Sequence, residues 1–179
     1  MKINNENLKA LKEMGIKVPS YHRESLKREC VHIGLGHFHR SHFLTYMDKL
    51  LDAKITDSGV FEIDIVPSNE SFISSLESQD YMYSLSQLSP DGKCDFRING
   101  AIIGYANQTK NPEIVEEVLS SAETKLITLT ITEKGYCYLD QEGTLDWNNP
   151  SVSHDINTSE TPKSAVGVLA KALYSRYKN

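Results

Sequence analysis

Positive charge is not in overall excess in this sequence. Its 19 Lys and Arg stand against 24 Asp and Glu, a formal net charge of −5, with a pI near 5.7. No basic face is concentrated, which argues against a nucleic-acid footprint. Long apolar runs are missing too: none approaches the ~18 residues that would span a membrane. The opening MKINNENLKALKEMG is polar and has no apolar h-region of a secretory signal. Cysteine is scarce. Cys30, Cys94 and Cys137 are an odd number with no CxxC pair, so neither a disulfide framework nor a zinc knuckle is indicated. These absences lead us to expect a cytoplasmic chain with no membrane or nucleic-acid partner. The Asn-x-Ser/Thr triplets at Asn69, Asn107 and Asn157 would then never meet the glycosylation machinery.

What is present is an ordinary globular composition: 179 residues, 39% hydrophobic and 24% charged, enough for one domain with a real core and short for two. Leu8, Leu11 and Met14 have helical spacing over residues 4–14, a short amphipathic helix ahead of the first strand. That arm, residues 1–29, is expected to act as a clasp over the domain surface. Apolar residues from Phe38 through Leu44, Tyr46, Met47, Leu50 and Leu51 predict one helix of about four turns. VFEIDIV (60–66) alternates as a strand that Pro67 stops, and Ser68 or Asn69 can cap a helix burying Phe72, Ile73 and Leu76. YMYSLSQL (81–88) and DFRINGAIIGY (95–105) read as two strands joined by the turn Ser89-Pro90-Asp91-Gly92. Asn111 followed by Pro112 caps the helix PEIVEEVLSSA. LITLTI (126–131), apolar on both faces, predicts a strand in the middle of a parallel sheet. A small hairpin is expected around Gly143, and Thr161-Pro162 is expected to cap a last helix over 164–177. The alternation of strand and helix makes the fold class α/β.

The chemistry concentrates in CVHIGLGHFHRSHFLTYMDKLL, residues 30–51. A short apolar run ending at Ile33 meets Gly34, Leu35 and Gly36 and passes at once into helical periodicity. That order places backbone N–H groups at a helix start, where a diphosphate can sit. In a GxGxxG fingerprint the third glycine allows close helix–strand packing; here that position is His39. On spacing alone a nucleotide site and a plain strand-to-helix turn fit equally. Four of the six histidines fall within 32–42, but His37, His39 and His42 do not share a helix face. No nearby carboxylate or cysteine completes a tetrahedral set, so no metal is expected.

GLGHFHRSH resembles the G-x-G-x-F-H-R-[AS]-H stretch of the mannitol dehydrogenase family, the polyol-specific long-chain dehydrogenases. LESQDYMYSL, with Leu76, Gln79, Asp80, Tyr83 and Leu85, resembles that family's L-x-x-Q-D-x-x-Y-[TS]-L. TLTITEKGYCY resembles its T-x-T-E-K-G-Y segment, and TPKSAVGVLAKALYSR its T-P-x-[ST]-A-x-G-x-[LI] helix. The match runs in order from about residue 30 to 176. It implies a Rossmann-type, doubly wound and mainly parallel sheet over 30–179 that binds NAD, with NADP left open. Ile33, Gly34, Leu35, Gly36, His37, Phe38, His39 and Arg40 would lie along the diphosphate loop. Thr132 and Glu133 would be cofactor contacts beyond the later strand, and Lys134 a structural or cofactor-side residue. The ribose-reading acid of the family falls at Asn69. An amide there can bond a 2′-hydroxyl without repelling a phosphate, and Glu70 or Asp64 could substitute.

The resemblance further implies a sheet strand just after residue 179 and a helical C-terminal domain, which carries the family's catalytic lysine with an Asn and a His. Neither is in this sequence, so no catalytic residue is assigned. The chain reads as the N-terminal portion of an oxidoreductase similar to mannitol 2-dehydrogenase or mannonate (fructuronate) oxidoreductase. In such an enzyme hydride passes between nicotinamide and a polyol or sugar acid. By itself this chain is expected to bind dinucleotide weakly, if at all, and to turn nothing over. The competing expectation is a stand-alone, non-catalytic nucleotide-binding or interaction module. A Lys-x-x-x-x-Asn-x-x-His-like continuation in the DNA past Asn179 distinguishes the two.

Overall fold

In the computed structural model, residues 2–67, 69–139, 143–158 and 160–178 are described. The chain opens with a single 3₁₀ turn and α1 (Leu8–Glu13), then β1 (Lys27–Ile33), α2 (His37–Ser41), α3 (Phe43–Asp52) and β2 (Ser58–Asp64). It continues through α4 (Glu70–Glu77), β3 (Tyr83–Leu88), β4 (Cys94–Asn99), β5 (Ile102–Asn107), α5 (Pro112–Ser120) and β6 (Leu126–Leu129). After a 3₁₀ turn over Glu133–Tyr136 come β7 (Tyr138–Leu139), β8 (Thr144–Leu145), α6 (Pro150–Asn157) and α7 (Ala165–Lys178). No described helix is long and apolar enough to cross a membrane.

The main sheet has the order β5-β2-β1-β6. β1 and β6 pair in parallel from Cys30↔Leu126 to Ile33↔Leu129. Along β2 and β5, Val60 N–H donates to the Ala101 carbonyl and Gln108 N–H to the Asp64 carbonyl; both chains advance together, so this pair is parallel as well. Counting only these strands along the chain, the order is third, second, first, fourth. That is how a Rossmann sheet begins, with its reversal point between β1 and β6. β1 and β2 carry the deeply buried residues, including Val31, Ile33, Val60 and Ile63. The run LITLTI is therefore not central as expected: β6 is an edge of this sheet, and Leu126 is 49% exposed.

The chain divides into two compact units. The first takes residues 1–28, 37–61 and 68–104. In it the N-terminal arm is a clasp. Arg23 donates to the carbonyls of Gly100, Asp80 and Ile102 at 2.9, 2.6 and 2.8 Å, and Tyr21 donates its hydroxyl to Asp48 at 2.6 Å. Asp48, fully buried, also accepts from Gly100 N–H at 3.0 Å and pairs with Arg97 at 2.5 Å. β3 and β4 form an antiparallel hairpin closed over 89–93.

Several local expectations are corrected here. The single helix after the glycines is two, broken at His42 (φ −112, ψ −78). Its buried face holds His39, Thr45 and Asp48 beside Leu44 and Leu51, while Phe38 and Tyr46 are exposed. The run 95–105 is also two strands, in different sheets, separated at Gly100-Ala101. A Cβ on Gly100 would come within 2.6 Å of Pro19, so the break is where the arm packs. Asn69 caps α4 by accepting from Phe72 N–H at 3.2 Å; the alternative cap, Ser68, lies outside the described residues. Of that helix's apolar side chains only Leu76 is fully buried.

The second unit takes residues 29–36, 62–67 and 105–179. Asn111 precedes α5 with Pro112 at its first turn but makes no side-chain cap bond. The last helix is capped by Ser164, which accepts from Gly167 N–H at 2.9 Å, not by Thr161. Asp155 in turn accepts from the Lys163 and Ser164 amides and the Ser164 hydroxyl. α6, opened by Asn149-Pro150, was not anticipated. The hairpin about Gly143 is present as β7 and β8; its tip lies outside the described residues.

Candidate functional site: a cleft at the ends of β1 and β6

The carboxyl ends of β1 and β6 border a cleft of about 510 Å³, wholly within the second unit. Its wall includes Gly34, Leu35 and Gly36 from the turn, Asp64 from the end of β2, and Thr130, Thr132 and Lys134 after β6. Lys163 and Ser164 at the start of α7 complete it, with Asn149 and Ser151 at the start of α6. The volume falls in the ~300–1,000 Å³ range of small-molecule sites. Ligands of open α/β sheets bind at this place, outside the strand ends at the reversal point.

The two glycines do different work. Gly34 has φ +108, and a Cβ there would lie 2.3 Å from the Thr130 carbonyl oxygen, so β1 and β6 close on it and exclude any side chain. Its N–H donates to the Ile63 carbonyl at 2.8 Å, and the Thr130 N–H to the Ile33 carbonyl at 2.9 Å. Gly36 is exposed, and a Cβ there would meet only the Gly34 oxygen, at 4.0 Å. The space beside Gly36 is therefore open to a ligand and would be filled by a side chain. That bare backbone is what a diphosphate-carrying cofactor requires.

The glycine turn is held from β2. Leu35 N–H donates to Asp64 Oδ1 at 3.0 Å, and Tyr105 donates its hydroxyl to Asp64 Oδ2 at 3.2 Å. Asn107 Nδ2 donates to the Val66 carbonyl at 2.9 Å and to the Tyr105 oxygen at 3.4 Å. Below the cleft, His32 is buried against Thr128 Oγ1 at 2.7 Å, and burial pushes its pKa down to about 4. This histidine is a neutral member of the core at physiological pH.

Of the residues expected from sequence, Ile33 ends β1 fully buried, and Gly34, Leu35, Gly36 and Thr132 line the cleft. Glu133 is exposed on the 3₁₀ turn and is not part of the lining. His37, Phe38, His39 and Arg40 form α2, in the first unit. There His39 is buried and stacked on Phe43, Phe38 is exposed and stacked on His42, and the Arg40 guanidinium lies 4.2 Å over the Phe72 ring. Asn69, also in that unit, is exposed with its oxygen committed to capping α4. Among the described residues no three His, Cys, Asp or Glu side chains group as metal ligands. Sequence reasoning missed Lys163, Asn149 and Ser151; the only signal for them was that Pro150 and Ala165 open helices.

A family model for the mannitol dehydrogenase Rossmann domain matches residues 28–179. The chain belongs to the mannitol dehydrogenase family. Within it, the chain is 33% identical over 164 residues to D-mannonate oxidoreductase of Escherichia coli (strain K12), covering 88% of this chain and 33% of that protein. It is 32% identical over 185 residues to mannitol 2-dehydrogenase of Neosartorya fischeri, covering 99% and 37%. A solved Pseudomonas fluorescens mannitol 2-dehydrogenase, in ternary complex with NAD and D-mannitol, superposes with TM-score 0.93 at 28% identity. That match covers 99% of this chain and 36% of the other. Substrate-free D-sorbitol dehydrogenase gives TM-score 0.88 at 28% identity, covering 99% and 37%. The chain thus spans about a third of the length of these mannitol dehydrogenase family relatives.

Proposed function

We propose that this chain provides the nicotinamide dinucleotide site of an oxidoreductase acting between a polyol or sugar acid and its carbonyl form. The observation that carries the reading is the open backbone at Gly36, beside a turn that Gly34 alone can make, at the reversal point of the sheet. The solved relative holding NAD and D-mannitol and the relative named for D-mannonate support the reaction class. We take NAD as the cofactor and the cytoplasm as the compartment, in keeping with three free cysteines. We assign residues 30–179 to dinucleotide binding and residues 1–29 to the arm.

Gly34, Leu35, Gly36 and Thr132 bring backbone to the diphosphate, with Ile33 fixing the end of β1. His37, Phe38, His39, Arg40, Asn69 and Glu133 are included in the set on the family resemblance alone. Lys134 and Lys163 are among the residues lining the cleft, and their positive charge suits a diphosphate. A bound dinucleotide supplies the hydride donor or acceptor. Substrate contacts and the proton-transferring base are assigned to the part of the family's length that this chain does not span. Residues 1–179 by themselves are expected to bind cofactor weakly and to turn nothing over.

The test is a titration with NADH, followed by nicotinamide fluorescence, on the chain as it stands and on Gly36→Ala. Saturable binding by the parent and at least tenfold weaker binding by the variant, with unchanged unfolding behaviour, are expected. Equal binding by both, or none by the parent, contradicts the assignment. Oxidation of NADH with fructose or a keto-sugar acid would overturn the division of labour.

A further inference from the structure

We propose that Asp155 is a positioning residue of the cofactor cleft: from outside the cleft lining it fixes the Lys163–Ser164 segment, and so brings the Lys163 charge to a bound dinucleotide. The inference rests on the dinucleotide reading above and deepens it. Lys163, Ser164 and Ala165 line the cleft, and Asp155 does not. Asp155 belongs to α6, with its side chain only 7% exposed. Its Oδ1 accepts the Lys163 amide at 2.7 Å, and its Oδ2 accepts the Ser164 amide at 2.8 Å and the Ser164 hydroxyl at 2.6 Å. The carboxylate is itself held: His154 Nδ1 lies 3.1 Å from Oδ1, and His154 Nε2 lies 3.2 Å from Glu160 Oε2. All of these residues belong to the second unit.

This is more than α7 needs in order to start. Its N-cap, Ser164, already accepts from the Gly167 amide, the bond an ordinary helix start uses. The two amides that Asp155 accepts lie ahead of α7, in backbone that belongs to no helix or strand. Water satisfies such amides where a segment serves only as a connection; here one largely buried carboxylate takes both. Gly167, in the first turn of α7, makes room for it, since a Cβ there would collide with Asp155 Oδ2. Glycine weakens a helix relative to alanine, so its presence here secures the close approach of the carboxylate. The Pro162 carbonyl, just before the two amides, accepts from Gln108 Nε2 at 3.0 Å, a second anchor on the same segment. Charge and positioning act in opposite directions. A carboxylate beside an anion site repels the anion, so by charge alone removing Asp155 would tighten dinucleotide binding. Positioning reverses the sign: without Asp155 the segment that carries Lys163 must be ordered again on binding, which weakens it.

NADH is titrated, at low and high salt, against the parent, Asp155→Ala, Asp155→Asn, Lys163→Ala and the double variant Asp155→Ala/Lys163→Ala. Hydrogen exchange at the Lys163 and Ser164 amides is followed by ¹⁵N-edited NMR without cofactor. Asp155→Ala is expected to weaken NADH binding at least fivefold, and the milder Asp155→Asn, which keeps the size of the side chain, at least twofold. In the Lys163→Ala background the Asp155→Ala change should weaken binding less than twofold, because the lysine it acts through is gone. The salt dependence of NADH affinity in Asp155→Ala should flatten to that of Lys163→Ala, a change that a general loss of stability does not produce. Exchange at both amides should quicken in both Asp155 variants. Unchanged or tighter NADH binding by either Asp155 variant overturns the positioning role, as does an equal loss with and without Lys163. Unaltered exchange at both amides overturns the brace itself, whatever the cofactor does. A parent that binds no NADH defeats the dinucleotide reading, and with it the role in binding.

Discussion

Gly34→Ala should damage the strand ends themselves before it damages binding. The backbone at Gly34 has φ +108, and placing an L-residue in the left-handed half of the map costs roughly 1–2 kcal/mol. The new methyl would start 2.3 Å from the Thr130 carbonyl oxygen, a backbone atom that no rotamer change can move aside. Relief requires the end of β6 to retreat from β1, which opens the Thr130 N–H to Ile33 carbonyl bond, now 2.9 Å. A lost bond of that kind costs about 0.5–1.5 kcal/mol. The sum is roughly 1.5–3.5 kcal/mol, a substantial part of the ~5–15 kcal/mol that holds a domain together. Urea unfolding followed by circular dichroism reads it directly: with an m-value of about 1–3 kcal/mol/M, the midpoint should fall by about 0.5 M or more. A Gly34→Ala chain unfolding within ~0.5 kcal/mol of the parent would refute the claim that β1 and β6 close on this position.

The Asp48 cluster should behave as a buried network. Asp48→Ala strips an acceptor from the Tyr21 hydroxyl and the Gly100 amide and a carboxylate from Arg97, and removing one partner of a buried pair costs ~3–5 kcal/mol. Burial itself drives the Asp48 pKa up, so Asp48→Asn, which keeps the acceptor without the charge, should cost clearly less; equal urea midpoints for the two variants would contradict this. Asp155 gives a pH signature. Burial alone would raise its pKa, but hydrogen bonds from Ser164, from the Lys163 and Ser164 amides and from His154 outweigh it, so the carboxyl lies below its ordinary 3.8. A depressed folded-state pKa means the unfolded chain binds more protons. The stabilisation is present above about pH 4 and is lost as pH falls through the folded value. Asp155→Asn should therefore show a flatter stability profile below about pH 4 than the parent; superimposable profiles would contradict it.

How much of this was legible in sequence follows from what each feature depends on. The turn after β1 was legible, because an apolar run, two glycines and helical periodicity are local signals. So was the arm as a clasp, although nothing in the residues announced that Arg23 would reach three carbonyls. Apolar residues on both faces of LITLTI imply a central strand, whereas β6 is an edge and Leu126 is half exposed. The helix after the glycines read as continuous because its break at His42 uses no proline or glycine. Asp155, which holds the start of α7, is eight and nine residues from the amides it accepts, beyond the reach of capping rules that look one turn away. The bond from the Leu35 amide to Asp64 spans 29 residues, beyond any local spacing rule.

The central claim is that the cleft at the ends of β1 and β6 receives a dinucleotide. Amide chemical-shift mapping of the ¹⁵N-labelled chain during an NADH titration tests it most directly. The account predicts saturable shifts at Gly34, Leu35, Gly36, Thr132 and Lys163, while a second groove, lined by Gln108 and Glu116 of the α5 side and Lys171 of α7, stays unmoved. Shifts centred on that groove, or none at the glycine turn with NADH in large excess, would contradict it.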